Sequence, residues 1–292
     1  MEFWRSVANP WDQNVLIGVS WDLMWAAVGG AVLFLVGHAI WIKTRPAEAP
    51  QAPVDRAAAA GIPERIQRHS LAARIFHWTM SATMLVLLVT AFVPVFGFQF
   101  AWVQVHWIAG VLLIASVLWH VVHAIGWQDF WSMFQLGIDE GMAHLKHVLS
   151  SKAPAPPKAG KYPFDHRMYH HVIVVVSLAA IITGVFMMVR IDTPFMARNP
   201  YLFGDSTWGV IYVLHGLSGV ALIFLIAAHI YFAIRPEKRW ITWSMIRGWV
   251  DREHYLAHHD PEKWVVAEKV AALQGGTGAV ADATVSAPRG ED

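Results

Sequence analysis

The chain is 292 residues long, 56% hydrophobic and only 15% charged, with a mean hydropathy of +0.41. A soluble domain carries about 25% charged residues, so the composition argues against a water-soluble globule, and a net charge of +1 implies no nucleic-acid or other polyanionic partner. Cysteine is absent, which excludes disulfides, thiolate zinc sites, cysteine-held iron–sulfur clusters, c-type haem attachment and cysteine nucleophiles.

Five apolar stretches, at 15–42, 71–94, 102–125, 168–190 and 208–233, are long enough to cross a membrane, since a hydrocarbon core of about 30 Å takes about 20 helical residues. Backbone facing lipid must satisfy its own hydrogen bonds, so each is expected to be a helix. The first stretch belongs to a unit at 1–45 that reads as a transmembrane helix, not a cleaved signal peptide: the run is long, Met1 to Asn14 is not basic and no A-x-A site follows. A Pro/Ala-rich linker at 46–64 leads to a four-helix unit at 65–235. Inside that unit 127–149 is too polar to span, but Trp127, Phe130, Trp131, Phe134, Ile138, Met142 and Leu145 recur at helical spacing. That pattern predicts an interfacial amphipathic helix, followed by a second Pro/Ala-rich linker at 150–161. Residues 236–270 read as a further amphipathic segment with Trp240, Trp243, Ile246, Trp249 and Val250 on the apolar side, and 271–292 as a disordered tail. Trp4, Trp11, Trp21, Trp102, Trp208, Trp240 and Trp243 fit aromatic belts at the membrane surfaces.

Positive charge sorts the loops. Lys43, Arg45, Arg56, Arg65, Arg68 and Arg74 lie between the first two spans, and Lys146, Lys152, Lys158, Lys161 and Arg167 between the third and fourth. Arg235, Lys238, Arg239, Arg247 and Arg252 follow the fifth, whereas 95–101 has none and 191–207 only Arg198. The positive-inside rule therefore puts the N-terminus outside, in the periplasm, and the C-terminus in the cytoplasm.

Sixteen histidines are the chemical anomaly, because an intramembrane imidazole must be neutral and partnered. In the fifth span His215 and His229 are fourteen residues apart, a separation that returns to within roughly 40° of one helix face after a rise of about 21 Å. His106 and His120 repeat that spacing in the third span, His123 follows, and the second span contributes His77. Histidines at two depths on neighbouring helices are what two stacked b-type haems need, and Gly110, Gly216 and Gly219 beside them would let a flat macrocycle approach the backbone. Spacing alone leaves open whether His77 or His120 completes the cytoplasmic pair. His38 reads as a structural residue. His254, His258 and His259 are placed on the cytoplasmic tail as adventitious metal ligands.

Residues 65–265 resemble the cytochrome b (gamma) subunit of membrane-bound formate dehydrogenases. The marks are the R-x-x-H-W run at Arg74 to Trp78, His106 with Gly110, the GKY segment at Gly160–Tyr162, the spaced pair His215 and His229, and an H-H-x-P-x-x-W ending at His258 to Trp264. The b cytochromes of nickel–iron hydrogenases and thiosulfate reductases share the pattern less closely. The resemblance implies an all-α integral membrane protein: a four-helix transmembrane haem-binding bundle plus one additional N-terminal transmembrane helix. It further implies two haem b groups, the outer held by His106 and His215 and the inner by His77 and His229. A His106/His120 and His215/His229 cage would instead resemble the cytochrome b of quinol–cytochrome c oxidoreductases, and the R-x-x-H-W motif favours His77.

The family's quinone site, for menaquinone or ubiquinone, lies beside the inner haem after GKY. Here the family's Asn, small residue and Gly are replaced by Pro163, Phe164 and Asp165, followed by His166. Tyr162, Asp165 and His166 are the candidates on this side, the last two as cytoplasmic proton donors, while Asp165 is equally expected to cap the fourth span. The resemblance also implies an iron–sulfur subunit and a molybdenum or tungsten catalytic subunit on the periplasmic face of the bacterial inner membrane, and a trimer of complexes. The chain itself shows no Ser–His–Asp arrangement, Walker loop or dinucleotide fingerprint. The readings from other classes are a His-lined proton channel or transporter and a purely structural anchor.

Overall fold

The computed structural model describes residues 2–44, 61–128, 130–150 and 154–266; the expected tail at 271–292 and most of the linker at 46–64 lie outside them. The apolar stretch at 15–42 divides in two. Strand β1 (Trp4–Ala8) pairs antiparallel with β2 (Asn14–Val19), and only then does helix α1 (Trp21–Lys43) begin. The turn is set by Asn9, whose side-chain carbonyl accepts from the Trp11 and Gln13 amides at 3.1 and 2.9 Å. Val15, Ile17 and Val19 favour the extended backbone. Ser20 starts the helix by accepting from the Leu23 amide at 3.2 Å.

Strand β3 (Arg65–Gln67) precedes α2 (Leu71–Phe92), which Ser70 caps through the Ala73 amide and which continues as a 3-10 turn at Val93–Phe96. Then come α3 (Trp102–Trp127), the short α4 (Phe130–Phe134), α5 (Ile138–Leu149), α6 (Phe164–Met188) and α7 (Asp205–Ile234). The amphipathic stretch expected at 127–149 is thus three pieces: α3 runs on through Trp127, and Gly137, at φ 56°, turns the chain between α4 and α5. Residues 236–270 are likewise not one helix. Helix α8 (Arg239–Arg247) stops at Gly248, at φ 93°, before β4 (Trp249–Asp251) and α9 (Arg252–His258).

Among the described residues five helices are long and apolar enough to cross a membrane. They are apolar on the outside: Leu33 is 74% exposed and Val175 67%, which is stable only against lipid. Helices α2 and α3 pack as one hairpin and α6 and α7 as another, and the two hairpins meet sparsely. Their shared core is a thin layer of Met84, Leu113 and Leu222. Leu222 is seven residues from both His215 and His229, so this apolar layer separates two histidine levels.

Helix α1 and the β1–β2 hairpin lie against α7. The hairpin docks on two glycines: a Cβ at Gly209 would lie 2.8 Å from the Leu16 carbonyl oxygen, and one at Gly216 would lie 2.8 Å from Val19 Cγ2. Asn9 also donates to the Asp205 carboxylate at 3.2 Å. His38 is held by the Tyr231 hydroxyl at 3.1 Å and Arg235 at 3.3 Å, an interhelical role.

At the opposite end, β3 pairs antiparallel with β4. Ile62, Ile66, Val250, Tyr255, Leu256 and Val266 form a second core there, flanked by Trp240 and Trp264. Arg68 and His259 are buried inside this cap.

Candidate functional site

The histidines of α2, α3 and α7 meet in two pairs. His106 and His215 have ring centroids 6.2 Å apart, and His77 and His229 have theirs 6.3 Å apart. A metal–imidazole nitrogen bond is about 2 Å, so two imidazoles sharing one metal from opposite sides have centroids roughly 6 Å apart. Both pairs have the separation that a bis-imidazole metal requires.

The His106–His215 pair also has the tautomer that metal binding needs. The Thr90 hydroxyl donates to the Val86 carbonyl at 2.7 Å, so its contact with His106 Nδ1 at 2.8 Å is an acceptance from the imidazole N–H. Thr183 donates to the Ala179 carbonyl at 2.6 Å and receives His215 Nδ1 at 3.0 Å, with the Ala180 carbonyl a second acceptor at 3.1 Å. A proton fixed on Nδ1 leaves the Nε2 lone pair for a metal. Gly184 makes room for this ring, because a Cβ there would lie 3.3 Å from His215 Cε1.

The His77–His229 pair is built differently. His77 Nδ1 is buried with no partner among the described residues. His229 packs face to face with Tyr169 at 5.2 Å, and the Tyr169 hydroxyl donates to the Leu225 carbonyl at 3.2 Å. The R-x-x-H-W run fixes His77 from below: Arg74 donates to the Ile246 carbonyl at 2.6 Å and Trp78 to Met245 at 3.4 Å. These are carbonyls of the last turn of α8, where a cation is favoured. Gly248 completes the joint, its carbonyl accepting from the Arg68 and His69 amides at 2.8 and 3.0 Å.

His120 does not join a pair. Its ring stacks on Phe76 at 3.9 Å, and its electrostatic neighbours are His170 and His123. His123 is bonded to Gln128 at 3.1 Å, and His171 donates to the Arg167 carbonyl at 2.6 Å. The structure therefore brings His77, not His120, to His229. Of the glycines expected to admit a macrocycle, Gly216 is taken up by Val19, whereas the space beside Gly110 is open to 4 Å and Gly219 comes nearest to Phe92 at 3.9 Å.

Of the quinone-side candidates, His166 lies within electrostatic range of His229, Arg68 and Lys238. Tyr162 borders Arg68. Asp165 stands in the first turn of α6 facing Lys238 and His144, and it does not cap the helix, whose N-cap is Pro163 without a side-chain bond. Its charge instead favours the helix start.

Trp208 is not in a surface belt: it is 1% exposed, donates to the Pro200 carbonyl at 3.0 Å and lies under Arg190. His259 is not a free tail ligand. It is fully buried, its Nδ1 donating to the Gly160 carbonyl at 2.6 Å and its Nε2 accepting from Arg68 at 2.9 Å. The GKY and H-H-x-P-x-x-W motifs thus pack on each other. Burial, with the Arg68 guanidinium next, drives the His259 pKa down to about 3, and burial followed by Arg68, Lys161, His77 and Arg74 does the same for His69.

Paired imidazoles at two depths inside a four-helix membrane bundle define the cytochrome b class. Residues 68–248 match the family described as prokaryotic cytochrome b561, and since that is more than half of the chain, the protein belongs to this family. No curated protein matches the chain. Membership makes it a multi-pass bacterial membrane protein that binds haem b and transfers electrons.

Proposed function

We propose that the chain is the di-haem b subunit of a respiratory oxidoreductase of the formate dehydrogenase kind, set in the bacterial inner membrane. The observation that carries this reading is the pair of facing imidazole couples, at 6.2 and 6.3 Å, on either side of the Met84–Leu113–Leu222 layer. His106 and His215 would hold the outer haem, and His77 and His229 the inner one. Haem iron would supply reversible one-electron transfer there, and the role of the chain is to link a periplasmic iron–sulfur subunit to a quinone, menaquinone or ubiquinone, near the cytoplasmic side. The partner is needed because the chain has no cysteine for clusters of its own. A molybdenum or tungsten subunit beyond it does the substrate chemistry, and the complexes assemble as trimers.

The chain's own residues do the rest. The apolar mid-layer keeps water from the bundle centre, Arg74 and Trp78 hold the His77 helix against α8, and Asp165 and His166 take protons at the cytoplasmic edge for the reduced quinone. The cation distribution supports a periplasmic N-terminus and a cytoplasmic C-terminus. The b cytochromes of hydrogenases and thiosulfate reductases are the neighbouring readings, distinguished by which subunits co-purify. The test is purification of the complex from its native membrane: two b haems per copy of this chain, reducible from an iron–sulfur partner and oxidised by added quinone, are expected. A reduced spectrum without b-type bands, or a single haem per chain, would overturn the reading.

A further inference from the structure

Resting on the haem reading above, we infer that Thr90 and Thr183 are positioning residues that hold the outer haem at a lower potential than the inner one. A hydroxyl has one proton. In both threonines that proton goes to the carbonyl four residues back, Val86 at 2.7 Å and Ala179 at 2.6 Å. The lone pairs left over face His106 Nδ1 at 2.8 Å and His215 Nδ1 at 3.0 Å. The carbonyl three residues before each threonine, Leu87 and Ala180, reinforces the same imidazole N–H. One device is therefore built twice, by α2 on the histidine of α3 and by α6 on the histidine of α7.

Donation from Nδ1 makes the opposite nitrogen a more basic ligand. A more basic ligand stabilises the oxidised iron over the reduced one, so it lowers the potential. The inner couple lacks the device: His77 Nδ1 has no partner among the described residues, and Tyr169 meets His229 face to face by stacking rather than through a hydrogen bond to its ring. The asymmetry favours electron transfer from the outer level to the inner one, and it originates in two side chains that touch neither metal nor substrate.

The experiment is a redox titration of the purified holoprotein and its Thr90→Val, Thr183→Val, Thr90→Ser and Thr183→Ser variants. The outer haem is identified as the component that His106→Ala removes. We expect it to be the lower-potential component, to shift upward in each valine variant, and to stay in place in each serine variant, which keeps the oxygen. Loss of the outer haem in a valine variant, with the matching serine variant native in content and potential, also supports the inference. An outer haem of higher potential, valine variants with both haems and an unmoved potential, or equal loss in valine and serine variants would overturn it. Absence of haem from the wild-type protein would instead refute the underlying assignment.

Discussion

Arg68 and His259 show how two residues far apart in sequence fix the cap built on β3 and β4. The guanidinium, 2% exposed, has its pKa lowered to about 10 by burial and so stays charged, with Trp240 and Trp264 5.5 and 5.6 Å from it. It needs a neutral acceptor, and His259 provides one because its only proton is given to Gly160. His259 and His69 both sit near pKa 3 in the fold, against about 6.5 when unfolded. Between those values the unfolded cap binds more protons, so stability rises with pH through the window and is flat above it. The protection factors of residues 61–69 and 249–266, exchange rates divided by the intrinsic rate at each pH, are therefore expected to fall as pH drops from about 6.5 towards 3, with a shallower slope in His259→Gln. Protection factors that do not change across that range would contradict this account.

At the scale of elements, the hairpin on α7 is the feature that hydropathy misses. Val15, Leu16, Ile17 and Val19 extend the apolar run of α1, so a window sum merges strand with helix. What separates them is the Asn9 turn and the Ser20 cap, both local polar signals. The docking glycines were legible as small residues but not as to what they meet, since Gly216 touches Val19 only across the fold. Gly209→Ala would push a methyl to 2.8 Å from the Leu16 carbonyl oxygen, and overpacking of this sort costs about 1–3 kcal/mol. Faster proteolysis or exchange of residues 4–19 is the expected result, with the haem spectrum intact. An unchanged hairpin would mean that its contact with α7 is not held at this point.

For the whole molecule, the five spans and the two histidine depths on α7 could be read from the sequence because both rest on helix geometry: length against bilayer thickness, and fourteen-residue spacing against 3.6 residues per turn. The choice between His77 and His120 could not be read that way, because spacing does not say which of two neighbouring helices turns its histidine to α7; in the fold His77 faces His229 while His120 stacks on Phe76. Thr90 and Thr183 were hidden for a related reason, since a threonine in an apolar span shows its purpose only once a neighbouring helix brings a histidine to it. Orientation is open to direct test, as a chain without cysteine gives clean single-cysteine reporters. Trp11→Cys on the exposed hairpin should react with an impermeant maleimide from the periplasm, and Glu262→Cys on the cap only after the membrane is opened; the reverse pattern would invert the topology. The account depends most on how the four histidines are paired, and the most direct measurement is the haem spectrum and content of the four single alanine variants and of His120→Ala. His77→Ala and His229→Ala should lose the same spectral component, His106→Ala and His215→Ala the other, and His120→Ala neither; a His77→Ala protein with both haems, or a shared loss between His77→Ala and His106→Ala, would contradict it.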